Sequence, residues 1–108
     1  MKTVIITGAS SGIGAETAIL LNQKGYQVVL AARRMNKLEK IAEQLNEHHL
    51  LVKVDVCKVH EVESLVKQTI DKFGKIDVLI NNAGLGYIAP LAEGKLEDWH
   101  QMFNVNVN

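Results

Sequence analysis

Apolar residues recur along the chain in two alternating registers. The short runs Lys2–Thr7, Gln27–Ala32, Leu50–Val54 and Val78–Ile80 are largely apolar throughout, as expected of strands covered on both faces. Between them, apolar residues return every three or four positions, the period of a helix with one buried stripe. The first such segment runs from about Gly12 to Lys24 and stops at Gly25. The second begins near Met35 and sets Leu38, Ile41, Ala42 and Leu45 on one face. The third aligns Val59, Val62, Val66, Ile70 and Phe73 and ends at Gly74, and a fourth carries Trp99, Met102 and Phe103. Leu85–Gly94, with Pro90 inside it, reads as a loop before that last helix.

The order βαβαβαβα predicts an α/β protein with three layers, helix, sheet and helix. Right-handed crossovers give a doubly wound parallel sheet of the Rossmann type with strand order 3-2-1-4. The order reverses between the first and fourth strands. A ligand is therefore expected at their C-terminal ends, flanked by Gly8–Gly14 and Asn81–Gly84. No linker, repeat or low-complexity segment divides residues 1–108, which read as one domain. The fourth strand would lie at an open edge and the last helix looks unfinished, although such sheets normally continue. The chain is accordingly expected to be a fold truncated after its fourth strand and the helix that follows, the N-terminal part of a longer protein.

Thr7-Gly8-Ala9-Ser10-Ser11-Gly12-Ile13-Gly14 follows the buried run Val4-Ile5-Ile6, so three glycines fall where a strand turns into a helix. Gly8 permits the tight turn, Gly12 a close ligand approach, and Gly14 close packing of the helix. The free N–H groups and positive end of that helix favour a pyrophosphate. No Lys-Ser/Thr pair follows, which argues against a nucleoside triphosphate and for a dinucleotide. After the fourth strand, Asn81-Asn82-Ala83-Gly84 offers two short amides able to tie strand ends together, and two small residues that leave room for a ribose.

Composition narrows the picture by exclusion. Twelve Lys and Arg balance twelve Asp and Glu, and no polybasic segment is present, so nucleic acid has little electrostatic support as a partner. Apolar runs are strand-sized, far short of a membrane span, and the N-terminus lacks a secretory pattern. A cytoplasmic location is the expectation. Cys57 is the single cysteine, and the four histidines show no metal-ligand spacing, so no metal site is expected.

Taken together these residues resemble the short-chain dehydrogenase/reductase (SDR) family in its N-terminal part. The match runs through Thr7-Gly8-x-x-x-Gly12-x-Gly14, Asp55-Val56 after the third strand, Asn81-Asn82-Ala83-Gly84 and Trp99 to Asn106. The resemblance implies an oxidoreductase moving a hydride between a nicotinamide cofactor and a small carbonyl or alcohol substrate. The glycine loop, Ile13 included, would hold the pyrophosphate and adenosine side, with Ser10 and Ser11 as secondary phosphate donors, and Asp55 with the Val56 backbone would meet the adenine. From spacing alone Asp55 reads equally well as a cap for the third helix. Family members commonly pair through the last helix here and the next, so a homo-oligomer of the longer protein is expected.

Charge at the end of the second strand bears on which cofactor. A dinucleotide fold that takes NAD places a carboxylate there to accept from the ribose 2′-OH, whereas this chain has Ala32 followed by Arg33 and Arg34. A charge-assisted contact to a 2′-phosphate contributes about 1.5–3 kcal/mol, so NADP(H) is expected over NAD(H). The same cations argue against S-adenosylmethionine, which carries no 2′-phosphate.

Trp99, Met102, Phe103 and Asn106 fall at i, i+3, i+4 and i+7, which puts an amide on an apolar face. A buried amide without partners costs about 1–3 kcal/mol, so Asn106 needs a water or a neighbouring helix. The resemblance assigns it the water of a catalytic proton relay. The Tyr-x-x-x-Lys pair and Ser that protonate the developing alkoxide in the family are missing, since Tyr26 is followed four residues on by Leu30 and Tyr87 by Leu91. They are expected beyond residue 108, and residues 1–108 alone are expected to be inactive. The alternative is a dinucleotide-binding module without turnover.

Overall fold

Thr3–Thr7, buried at every position, forms the central strand β1 of a sheet in the computed structural model, which describes residues 1–10, 12–82 and, by backbone, 87–90. It leads into α1 (Gly12–Gln23), β2 (Gln27–Ala32), α2 (Met35–Ala42), β3 (His49–Lys53), α3 (Val59–Phe73), β4 (Val78–Asn81) and β5 (Tyr87–Pro90). The sheet order is β3-β2-β1-β4-β5. The parallel part has the expected order 3-2-1-4, with Ile5 opposite both Val29 and Leu79. Strand ends lie within a residue of those read from the sequence.

Alternation along the strands divides the core between two faces. Ile5, Val29, Ala31 and Leu79 pack with Val62, Leu65 and Val66 of α3. Val4, Ile6, Val28 and Leu30 pack on the opposite face with Ala18 of α1 and with Leu38 and Ile41 of α2. This is the three-layer arrangement, both sheet faces being covered by crossover helices. No described helix is long and apolar enough to cross a membrane.

Two elements differ from the sequence expectation. Within Leu85–Gly94, Tyr87–Pro90 pairs antiparallel with β4, Asn81 opposite Tyr87 and Val78 opposite Pro90. Tyr-Ile-Ala suits a strand, and proline is tolerated at the end of a strand bonded on only one side among the described residues. The outer side of β4 is thus paired rather than open. In α3 the buried residues are Val62, Leu65, Val66 and Thr69, whereas Val59 and Ile70 are 46% and 41% exposed. At 3.6 residues per turn Val59 and Ile70 fall within about 20° of each other, on one flank of the face set by 62, 65, 66 and 69, so they sit at its rim. Thr69 enters the core because its hydroxyl donates to the Leu65 carbonyl at 2.8 Å.

Polar clips fix the approach to the strands. Asp77 accepts from the Thr3 N–H at 2.8 Å and returns its own N–H to the Thr3 carbonyl at 2.9 Å, pinning the start of β4 to β1. That hydrogen bond and the Lys75 ammonium hold the Asp77 carboxyl below the usual carboxylate range. Asn22, buried in α1, donates to Asn46 Oδ1 and accepts from the Asn46 N–H, which anchors the turn leading to β3.

Candidate functional site

The C-terminal ends of β1 and β4 meet at residues 7 and 81, where the strand order reverses. The Thr7 hydroxyl donates to Asn81 Oδ1 at 2.8 Å, inside the protein. The Asn81 Nδ2 group is buried with no partner among the described residues. Asn82 turns to the other side, its Nδ2 standing 3.4 Å from the Gly8 carbonyl. Both amides therefore tie β4 to β1, as their sequence position suggests.

The glycine corner owes its shape to two different needs. Gly8 and Gly12 have φ of 63° and 55°, the left-handed region that favours glycine. Gly14 is helical, and its constraint is space: a Cβ there would lie 2.7 Å from the Gly8 carbonyl oxygen and 2.8 Å from Asn82 Nδ2. Helix α1 thus packs against the loop and the residue after β4, closer than any side chain would allow. The Ala9 N–H donates to the Ala31 carbonyl at 3.3 Å, which holds the loop against β2.

Beside this corner lies a cavity of about 540 Å³, within the range of small-ligand sites. Gly8, Ser10 and Asn82 line it from the glycine corner and the end of β4. The end of β2 and the start of α2 contribute Ala31, Ala32, Arg33, Arg34 and Lys37, and the segment after β3 contributes Val54, Asp55, Val56 and Cys57. Arg34 is the N-cap residue of α2 in extended conformation, without a side-chain cap, and the first turn holds no acid. The positive end of α2 and its neighbouring cations therefore add on one wall.

Asp55 resolves differently from a helix cap. The N-cap of α3 is Lys58, and Asp55 instead closes the turn before it, accepting from the Cys57 N–H at 3.0 Å. Its own N–H donates to Glu61 at 2.9 Å. The bond from Cys57, with Lys58 and Arg33 nearby, holds the carboxyl below its ordinary range, so Asp55 faces the cavity ionised at neutral pH.

Of the residues singled out in the sequence, Gly8, Ser10, Arg33, Arg34, Asp55, Val56 and Asn82 come together around this one cavity. Gly12, Ile13 and Gly14 form the first turn of α1 beside it, and the Ile13 side chain is 75% exposed. Ser11, Ala83, Gly84 and Asn106 lie outside the described residues, as does the helix expected around Trp99. Lys37, Val54 and Cys57 were not anticipated. Lys37 had a signal, standing one helical turn beyond Arg34.

Sheet order, crossovers and the glycine corner define a doubly wound domain of the Rossmann type. The family profile described as short chain dehydrogenase matches residues 2–108, and the chain belongs to that family. An uncharacterized oxidoreductase of Staphylococcus saprophyticus is 48% identical over 107 residues, covering 98% of this chain and 44% of that protein. Among solved structures, an alcohol dehydrogenase from the archaeon Thermococcus sibiricus, complexed with 5-hydroxy-NADP, is 42% identical with a TM-score of 0.72. It covers 94% of this chain and 45% of that one. A 3-ketoacyl-(acyl-carrier-protein) reductase from Brucella melitensis, complexed with NADH, is 37% identical with a TM-score of 0.74, covering 80% and 36%. The chain thus spans less than half the length of these relatives.

Proposed function

We propose that the chain is the cofactor-binding part of an NADP(H)-dependent oxidoreductase acting on a carbonyl or alcohol substrate. The observation that carries this reading is the charge on the β2 wall of the cavity. Ala32 stands where a carboxylate would accept from a ribose 2′-OH, and Arg33 and Arg34 stand beside it. The relatives include complexes with 5-hydroxy-NADP and with NADH, so the preference rests on this chain's own residues.

In this reading the bound dinucleotide supplies or accepts the hydride, and the chain binds and orients it. The Gly8–Gly14 turn offers N–H groups and the positive end of α1 to the pyrophosphate, with Ser10 and Ser11 as further donors. Ile13 contributes through its first-turn backbone. Asp55 and Val56 border the adenine, and Arg33 and Arg34 the 2′-phosphate. Asn82, Ala83 and Gly84 leave room for the ribose nearer the nicotinamide. Asn106 holds the water of the proton relay, and the Tyr, Ser and Lys that complete it belong to sequence beyond residue 108. A cytoplasmic homo-oligomer is part of the same proposal.

The test is a calorimetric comparison of NADPH and NADH. Tighter binding of NADPH by about 10- to 100-fold is expected, with the preference lost in Arg33→Ala and inverted when Ala32→Asp is added. Equal or tighter binding of NADH by the unaltered protein overturns the assignment.

A further inference from the structure

The cavity wall at α2 carries one more charge than the end of β2 provides. Lys37 lies in the first turn of α2, three residues after Arg34 and four after Arg33, and all three line the same cavity. Its N–H donates to the Arg34 carbonyl at 3.2 Å, which fixes its backbone to the turn. The ion pairs of the described residues are His48–Glu47, Lys58–Glu61 and Lys75–Asp77, so none includes Arg34 or Lys37, and Arg33 meets Asp55 only at longer range. These three cations share one wall with an uncapped helix N-terminus that has no acid in its first turn. Mutual repulsion among them is relieved by an anion of high charge placed between them.

We infer that Lys37 is a specificity-determining residue of this cavity, its ammonium joining Arg33 and Arg34 in a three-cation clamp on the 2′-phosphate of the bound nucleotide. The inference rests on the NADP(H) reading and extends it to a residue that the pattern after β2 does not single out. A phosphate monoester carries a charge of about −1.5 to −2 at neutral pH, more than one guanidinium neutralises. The guanidinium forks take oxygens in fixed geometry, while the flexible lysine stem brings a point charge to whichever oxygen remains.

The test compares adenosine 2′,5′-bisphosphate with ADP, by calorimetry, on the unaltered protein and on Lys37→Ala, Lys37→Arg and Lys40→Ala. Lys40 is exposed on the same helix but does not line the cavity, so its variant matches the change in net charge. Lys37→Ala is expected to weaken the bisphosphate about five- to twentyfold and to leave ADP within about twofold. Lys37→Arg should retain most of the affinity and Lys40→Ala all of it, with melting temperatures unchanged because both lysines are exposed. If the unaltered protein binds the bisphosphate no better than ADP, the NADP(H) reading fails and the clamp with it. If that preference exists but Lys37→Ala leaves it intact, weakens both ligands alike or merely matches Lys40→Ala, the clamp alone is overturned.

Discussion

Gly14→Ala sets two opposing effects against each other. Alanine favours a helix over glycine by about 0.8–1.0 kcal/mol, and Gly14 is helical, so propensity alone makes the substitution stabilising. Space opposes it. The new methyl would lie 2.7 Å from a backbone carbonyl oxygen and 2.8 Å from the Asn82 amide nitrogen, where van der Waals contact begins beyond 3.4 Å. The amide can swing away, but the Gly8 carbonyl moves only if the loop moves, and that loop is held to β2 through the Ala9–Ala31 hydrogen bond. Overpacking of this kind costs about 1–3 kcal/mol. The net expectation is a loss of up to about 2 kcal/mol, or up to about 8–16 °C in melting temperature for a domain of this size. The same displacement shifts the N–H groups of the corner, so NADPH affinity should fall by about tenfold or more. Thermal unfolding and nucleotide titration of Gly14→Ala, alone and combined with Asn82→Ala, measure both effects. The double variant should recover only part of the loss, because the carbonyl contact remains. A Gly14→Ala protein as stable as its parent with unchanged affinity would refute the close packing described for this corner.

On α3, Leu65→Ala should cost about 2–5 kcal/mol in urea unfolding, because Leu65 is fully buried, while Val59→Ala should stay within about 0.5 kcal/mol. Thr7→Val removes the hydroxyl bonded to Asn81 Oδ1 in a buried setting and should lower stability by about 1–3 kcal/mol in the same assay. The Asp77 carboxyl is held below its ordinary range by the Thr3 N–H and by Lys75, so the folded chain binds fewer protons there than the unfolded chain. Its contribution is complete above the ordinary carboxylate range and is lost as pH falls through about 4 and lower. Asp77→Asn should therefore flatten the decline of stability between about pH 5 and pH 2, followed by denaturant midpoints across that range.

The parallel sheet was legible in the sequence because β1 and β2 are buried on both faces, β4 is fully buried on one and partly on the other, and all three read as largely apolar runs. The core stripe of α3 was less so. Val59 and Ile70 look like core by residue type, while Thr69 conceals its hydroxyl by bonding to Leu65, a local contact that spacing does not reveal. Strand β5 was hidden because four residues ending in proline carry too little periodicity to separate from a loop, and its pairing depends on the free side of β4. At the site, Gly8, both arginines and Asn82 were marked by their place at strand ends, where topology brings them together, and Asp55 by the family resemblance. The role of Asp55 was ambiguous until the start of α3 was known, since a helix beginning at Val59 leaves Asp55 in the preceding turn. Lys37 escaped because a lysine in a first helical turn reads as a solvated charge unless the wall it shares is known.

On the proposed function, the cavity between the glycine corner, the β2 end and Asp55 holds the adenosine 2′-phosphate half of a dinucleotide. A crystal structure of the protein with NADPH tests it most directly. Pyrophosphate is expected against the N–H groups at the start of α1, adenine beside Asp55 and Val56, and 2′-phosphate oxygens within hydrogen-bonding distance of Arg33 or Arg34. Adenosine bound elsewhere, or a 2′-phosphate turned to solvent away from both arginines, would contradict it.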